Sequence, residues 1–185
     1  WDYPLHLTGG PWAGARAAGN RAMMKLSEHT PATSQLMASI LGGLFDPDQV
    51  AVVNGNTEVA QSFSRLSLDH LLFTGSIATG RQVMRAAADN LTPVTLELGG
   101  KSPALVTANA HLGRAAEDIA YGKWLNAGQT CVAPDYVLVD AAQLDAFVAA
   151  LESAVRKYWR EPGQYTSIIN ERQQARLNEY NEEAR

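Results

Sequence analysis

Apolar residues recur along this chain in two rhythms. Short runs of β-branched and aliphatic residues alternate with stretches in which apolar positions return every three or four residues. The first rhythm predicts strands and the second amphipathic helices. Leu5–Ala18, built of small residues, predicts a helix stopped at Gly19-Asn20. Arg21–Leu26 reads as a short buried strand. Pro31 opens a helix through Leu36, Ile40, Leu41 and Leu44, with Thr30 as its cap and Asp46-Pro47-Asp48 as its break. Val50–Val53 is a strand ending at Asn54-Gly55, and Glu58–Arg65 is helical. Leu68–Thr74 is a strand running into Gly75-Ser76. Ile77–Ala88 is a helix with Val83, Met84 and Ala87 on one face, and Val94–Leu98 is the next strand.

Strands and helices that alternate through short connections predict βαβ units. The expected result is a parallel sheet covered on both faces, with right-handed crossovers. The fold class read from this pattern is α/β. After Gly99-Gly100 the character changes. Pro103–Val106 is a strand, and Ala110–Leu125 a helix with Leu112, Ala115, Ala116, Ile119 and Trp124 at helical spacing. Tyr136–Val139 is a strand, Ala142–Tyr158 a helix, and the tail from Asn170 is polar and helical. A domain boundary near Gly99 divides residues 1–98 from 99–185, with the glycine pair as hinge. No internal repeat or low-complexity segment interrupts this order.

Composition narrows the function classes. The chain has 185 residues, 46% hydrophobic and 18% charged, which suits a packed core rather than disorder. A net charge of −4 with scattered Lys and Arg argues against a nucleic-acid surface. One cysteine makes no internal disulfide, so a reducing, cytoplasmic compartment is the default. No apolar run is long enough for a membrane span. The opening Trp1-Asp2-Tyr3-Pro4-Leu5 is no signal peptide and lacks an initiator Met. It reads as an entry into the middle of a longer polypeptide.

Several residues invite chemistry, each with a plain structural alternative. Gly75-Ser76-Ile77-Ala78-Thr79-Gly80 lies at a strand-to-helix turn, where backbone amides suit a pyrophosphate. Its spacing is not the usual Gly-x-Gly-x-x-Gly, and many α/β turns carry glycine for steric reasons alone. Lys25 and Glu28 follow the first strand, where they serve either a ribose or only each other as a solvated pair. Glu97 ends an otherwise apolar strand, a costly place for a carboxylate unless it is paired or functional. Cys131 is either an inert small residue or a nucleophile, and Gly128-Gln129 beside it suggest a loop at a cleft. His6, His29, His70 and His111 show no ligand spacing, so no metal site is expected. Trp12, Trp124 and Trp159 read as core or interface.

Taken together, Val94-Thr95-Leu96-Glu97-Leu98-Gly99-Gly100-Lys101-Ser102-Pro103 and Asn126-Ala127-Gly128-Gln129-Thr130-Cys131 resemble the two signature segments of the NAD(P)-dependent aldehyde dehydrogenase superfamily. Lys25-Leu26-Ser27-Glu28 and Phe73-Thr74-Gly75-Ser76 resemble its cofactor-binding segments. Trp1-Asp2-Tyr3-Pro4-Leu5 resembles its Trp-Asn-Tyr-Pro-Leu. Ser27-Glu28, Val53-Asn54-Gly55 and Thr166-Ser167-Ile168-Ile169-Asn170 lean toward the fatty or coniferyl aldehyde dehydrogenase branch.

The resemblance implies a Rossmann-like cofactor sheet over 1–98 and the first part of an α/β catalytic domain over 99–185. It implies that Cys131 attacks the aldehyde carbon and that Glu97 activates water to hydrolyse the thioester. Lys25 and Glu28 would hold the adenosine ribose, and Gly75, Ser76, Ile77, Ala78, Thr79 and Gly80 the pyrophosphate. Gly55, Phe73, Thr74 and Leu98 complete the implied cofactor set. NAD is favoured over NADP because a carboxylate at Glu28 repels a 2′-phosphate. The whole enzyme is expected to be a homodimer or homotetramer acting on a small aldehyde.

Two departures stand out. Asp2 occupies the position of the family's oxyanion-binding Asn, and an ionised Asp donates no hydrogen bond. The chain is also less than half of a family enzyme, so the isolated polypeptide is expected to be inactive or poorly folded. Two rival readings follow: a CoA-acylating aldehyde dehydrogenase, against which Glu97 speaks, and a non-catalytic descendant, against which Cys131 and Glu97 speak.

Overall fold

A computed structural model describes residues 1–158, 163 and 165–185. The chain divides into two compact units, Trp1–Leu98 and Gly99–Arg185. Unit 1 runs α1 (Pro4–Ala17), β1 (Ala22–Lys25), α2 (Pro31–Leu44), β2 (Val50–Val53), α3 (Thr57–Phe63), β3 (Leu71–Gly75), α4 (Ile77–Ala88) and β4 (Val94–Leu98). Unit 2 runs β5 (Ser102–Val106), α5 (Leu112–Trp124), β6 (Pro134–Val139), α6 (Leu144–Tyr158) and α7 (Glu171–Glu183). Trp159 lies outside the described residues.

The strands pair in parallel, each pair bridged by a helix. Lys25 aligns with Val53 at the end of the β1–β2 ladder, and Leu71–Gly75 of β3 align with Val94–Leu98 of β4. β5 pairs with β6, with a register shift at Ser102/Pro103. The α/β reading therefore holds, with parallel ladders. The pairing differs from one continuous sheet: three separate two-stranded ladders form.

Coverage on both faces is a further expectation the structure corrects. Leu71, Val83 and Ala87 form a core between β3 and α4, joined by Phe63, Leu68, Phe73 and Val94. The opposite face of that ladder presents exposed Leu72, Thr95 and Glu97. The alternation of β4 explains this, because Val94, Leu96 and Leu98 turn one way and Thr95 and Glu97 the other. Met84, expected on the buried face of α4, is 54% exposed. Met23, in the strand expected to be buried, is 46% exposed.

Unit 2 has the larger core cluster. Val106, Ala116 and Phe147 are buried together, with Leu112, Ala115, Ile119, Val137, Val139 and Leu151 packed on them. Ala116 and Ala120 are fully buried on α5, where their small side chains let α5 and α6 approach closely. Asn170 caps α7 by accepting from the backbone N–H of Gln173 at 3.0 Å. Trp12 packs edge-on against Phe45, 5.6 Å between ring centroids. Trp124 is half-buried at the end of α5.

Candidate functional site

The turn after β1 is knitted to its neighbours by polar contacts. Buried Ser34, in the first turn of α2, donates its hydroxyl to the Ser27 carbonyl at 3.0 Å. The Asn54 side-chain amide donates to the Ser34 carbonyl at 3.2 Å. The Ser27-Glu28 turn and the turn after β2 are thus both tied to the start of α2. Thr30, expected to cap α2, makes no side-chain cap bond; its hydroxyl is buried among the described residues without a hydrogen-bond partner. Ser34 and Asn54 were not singled out for this role by their sequence setting, since neither spacing nor charge marks it.

Lys25 and Glu28 are brought together. The Lys25 ammonium donates to Glu28 Oε2 at 2.7 Å, with the Lys25 side chain only 8% exposed and that of Glu28 35%. Lys25 is thus shielded while Glu28 remains open to solvent, so the pair is solvated on its carboxylate side. Partial burial pushes the Glu28 carboxyl up, but the hydrogen bond and charge of Lys25 and a backbone bond outweigh it. The net position is below the usual carboxylate range. Thr57 Oγ1 lies 3.4 Å from Glu28 Oε1, a long second contact. Gly55, nearby after β2, has its backbone against the Val59 side chain, which stands 2.6 Å from where a Cβ would sit.

The turn from β3 to α4 holds most of the remaining candidates of unit 1. Phe73, Thr74 and Gly75 end β3; Ser76 caps α4, accepting from the Thr79 backbone N–H at 3.1 Å. The Ser76 and Thr79 hydroxyls also meet at 2.8 Å. Ile77 and Ala78 are exposed in the first turn of the helix, and Gly80 is buried. A Cβ on Gly80 would stand 2.8 Å from Leu98 Cδ2, so the missing side chain is what lets α4 lie against the end of β4. The register sets Glu97 beside Thr74 and Leu98 beside Gly75. Glu97 points from the open face and is exposed, so it carries no desolvation cost, contrary to the expectation for an apolar strand.

Unit 2 holds the thiol. Cys131 is free and half-buried. The backbone leading to it bends through three consecutive left-handed residues, Asn126 (φ 52°), Ala127 (φ 58°) and Gly128 (φ 71°). Glycine takes this conformation freely and asparagine tolerates it, whereas alanine is strained by about 1–2 kcal/mol. Side-chain bonds offset the strain. Asn126 Nδ2 donates to the Gln129 carbonyl at 3.1 Å, and Gln129 Nε2 donates to the Asn126 carbonyl at 3.1 Å. Gln129 Nε2 also lies 3.2 Å from the Ser167 carbonyl, and Gln129 Oε1 accepts from the Ile169 backbone N–H at 2.9 Å. At about 0.5–1.5 kcal/mol net per bond, this set is large enough to hold one strained alanine.

Past the thiol, the Ala133 N–H bonds the Thr130 carbonyl at 3.1 Å, closing a turn around Cys131. The Gly100 backbone abuts the Cys131 carbonyl, which would lie 3.4 Å from a Cβ there. Lys101 pairs with Asp135 at 2.8 Å at the mouths of β5 and β6, an exposed bridge of small energetic weight. Gly128, with Asn126 two residues before it, is the local sequence signal for a left-handed bend; Ala127 between them gives none. Asp2 precedes α1 in unit 1 with its side chain 16% exposed. Among the described residues, no group of three or more His, Cys, Asp or Glu side chains is placed to hold a metal ion. No helix among them is long and apolar enough to cross a membrane.

Comparison with known proteins gives concordant matches. The sequence profile of the aldehyde dehydrogenase family matches residues 1–185. A probable coniferyl aldehyde dehydrogenase of Pseudomonas aeruginosa is 55% identical over 188 residues, spanning 100% of this chain and 40% of the relative. The substrate-bound state of Staphylococcus aureus AldH superposes with a TM-score of 0.90 at 40% identity, over 97% of this chain and 40% of that one. A betaine aldehyde dehydrogenase from Staphylococcus aureus, in complex with NAD+, superposes with a TM-score of 0.88 at 29% identity, over 98% of this chain and 38% of that one. The chain thus spans about two fifths of the length of these relatives.

Proposed function

The chain belongs to the aldehyde dehydrogenase family, and on that premise we propose that the protein containing it oxidises an aldehyde to a carboxylic acid with NAD. The observation that carries the reading is that each unit holds one built turn: in unit 1 a capped strand-to-helix turn beside Glu97, and in unit 2 a braced loop that carries Cys131.

Unit 1 is read as the cofactor-binding part and unit 2 as the start of the catalytic part. The donor set of unit 1 suits a dinucleotide. The exposed first turn of the 12-residue helix α4 suits a pyrophosphate, and the Glu28 carboxylate suits a ribose diol. The nicotinamide ring, when bound, supplies the hydride acceptor. NAD is preferred because Lys25, the cation that would welcome a 2′-phosphate, is engaged by Glu28, whose own charge repels one.

In unit 2 the Cys131 thiolate adds to the aldehyde carbon, and the carbonyl oxygen takes up the negative charge. The Cys131 backbone N–H is the donor this chain offers to that oxygen. Loss of hydride from the adduct leaves an acyl group on sulfur as a thioester. Glu97 accepts a proton from the water that attacks the thioester, which releases the acid and returns the thiolate. Asp2, where the family carries Asn, weakens the oxyanion site, so Asp2→Asn is expected to raise kcat by roughly 100-fold.

Coniferyl aldehyde is the first substrate to test, given the Pseudomonas relative. The whole protein is taken as a cytoplasmic homodimer or homotetramer. Leu36, Ile40 and Leu44, exposed along α2, are surfaces that further chain or a second copy would cover. The deciding experiment follows NADH formation and the acid product with the purified intact protein. Equimolar acid and NADH support the reading. Formation of a CoA ester only when CoA is added would move the protein to the acylating branch, and no turnover on any aldehyde would make it a non-catalytic relative.

A further inference from the structure

We infer that Gln129 is a positioning residue for the Cys131 thiol, acting as a clamp that fixes the strained loop to the Ser167–Ile169 segment. The inference rests on the reading of Cys131 as nucleophile. Gln129 stands two residues before the thiol, and its side-chain amide makes two hydrogen bonds that leave the loop, to Ser167 and Ile169. Its Nε2 donates to the Ser167 carbonyl at 3.2 Å and to the Asn126 carbonyl at 3.1 Å, while its Oε1 accepts from the Ile169 N–H at 2.9 Å. Both Nε2 protons and the oxygen are therefore committed.

The partners at 167 and 169 are backbone groups separated by one residue, the spacing at which an extended segment offers a carbonyl and an N–H on the same edge. The side chain thus joins that edge much as a neighbouring strand would. On the other side, Gly100 packs its backbone against the Cys131 carbonyl. The thiol's carrier is held from two directions, and the left-handed run Asn126–Gly128 supplies the bend between α5 and the clamp. Strain of this kind persists only where surrounding contacts over-determine it, and Gln129 supplies contacts from 38 and 40 residues further along the chain.

The test uses the intact protein with Gln129→Leu and Gln129→Glu. The first removes the clamp. The second keeps its length and its acceptor for the Ile169 N–H but sets a carboxylate oxygen against the Ser167 and Asn126 carbonyls. Both are expected to lower kcat roughly ten- to a hundredfold, because small displacements of a reacting group cost that much. Alkylation of Cys131 by iodoacetamide should slow as well, while the NAD dissociation constant stays near wild type and the melting temperature falls only by the few degrees that the lost bonds account for. Unchanged kcat and alkylation in a folded variant would overturn the inference. A loss that appears in both variants only together with lost NAD binding and loss of the cooperative melting transition would also overturn it, leaving Gln129 a purely structural residue. If the wild-type protein oxidises no aldehyde yet alkylation still slows in the variants, the functional reading fails and the clamp on the thiol stands.

Discussion

The turn Ser76–Gly80 in unit 1 is built from ordinary helix-start chemistry, whereas the loop Asn126–Cys131 in unit 2 is bent through left-handed backbone and braced by side chains. The first needs a cap, Ser76 on the Thr79 N–H, and a missing Cβ at Gly80. The second needs Gln129 to reach residues 38 and 40 positions away. Under the proposed function the first turn would serve as a cofactor grip, which generic backbone amides can supply because it must only attract and orient a diffusing anion. The second would carry a nucleophile, which must be held to a fraction of an ångström, a task the bracing suits.

The sharpest separation of the two regions is Cys131→Ser in the intact protein. Oxidation should fall by roughly 10⁴-fold or more while NAD affinity, read by fluorescence quenching, stays unchanged. If NAD binding fell with it, the division of labour between the units would be wrong. Next in size, Glu97→Gln should slow thioester hydrolysis by about 10²- to 10⁴-fold and leave a burst of NADH in stopped-flow. Steady turnover without a burst would remove Glu97 from the role of base.

Stability effects are smaller and fall on opposite sides of the comparison. Gly128→Ala should cost about 1–2 kcal/mol, since φ is 71° and the new Cβ would meet the Lys123 carbonyl at 3.1 Å. Ser76→Ala should cost about 1 kcal/mol by loss of the α4 cap. Denaturant midpoints of the intact protein measure both, and equal costs would erase the contrast between a strained and a relaxed turn. Smallest is the pH effect of the Lys25–Glu28 pair. The folded Glu28 carboxyl lies below its unfolded value, so its stabilisation is complete above the ordinary carboxylate range and is lost as pH falls through the lowered value. Wild type and Glu28→Gln should therefore converge in stability in acid.

The regions also differ in how much of them the sequence disclosed. α4 and β4 occupy the spans expected for them, because Gly75-Ser76 and the β-branched run at Val94 are strong local signals. The exposure of Glu97 was also written in the alternation of Thr95 and Glu97 with Val94, Leu96 and Leu98. The strand's overall apolar content concealed it. Thr30 is a good cap residue by type, yet its hydroxyl caps nothing, since tertiary packing buried it. The left-handed Ala127 was beyond reach, because alanine has no local preference for that conformation. Likewise the Gln129 bonds join residues whose proximity only the fold creates.

The bend at Ala127 sets the backbone against the chirality of its own residue. Positive φ is unfavourable to an L-alanine and favourable to its mirror image. A D-alanine placed there by peptide ligation would carry the same atoms in the relaxed sense of the loop. Composition and strain, which no genetically encoded substitution changes separately, would then be uncoupled at a position four residues from the only sulfhydryl of the chain.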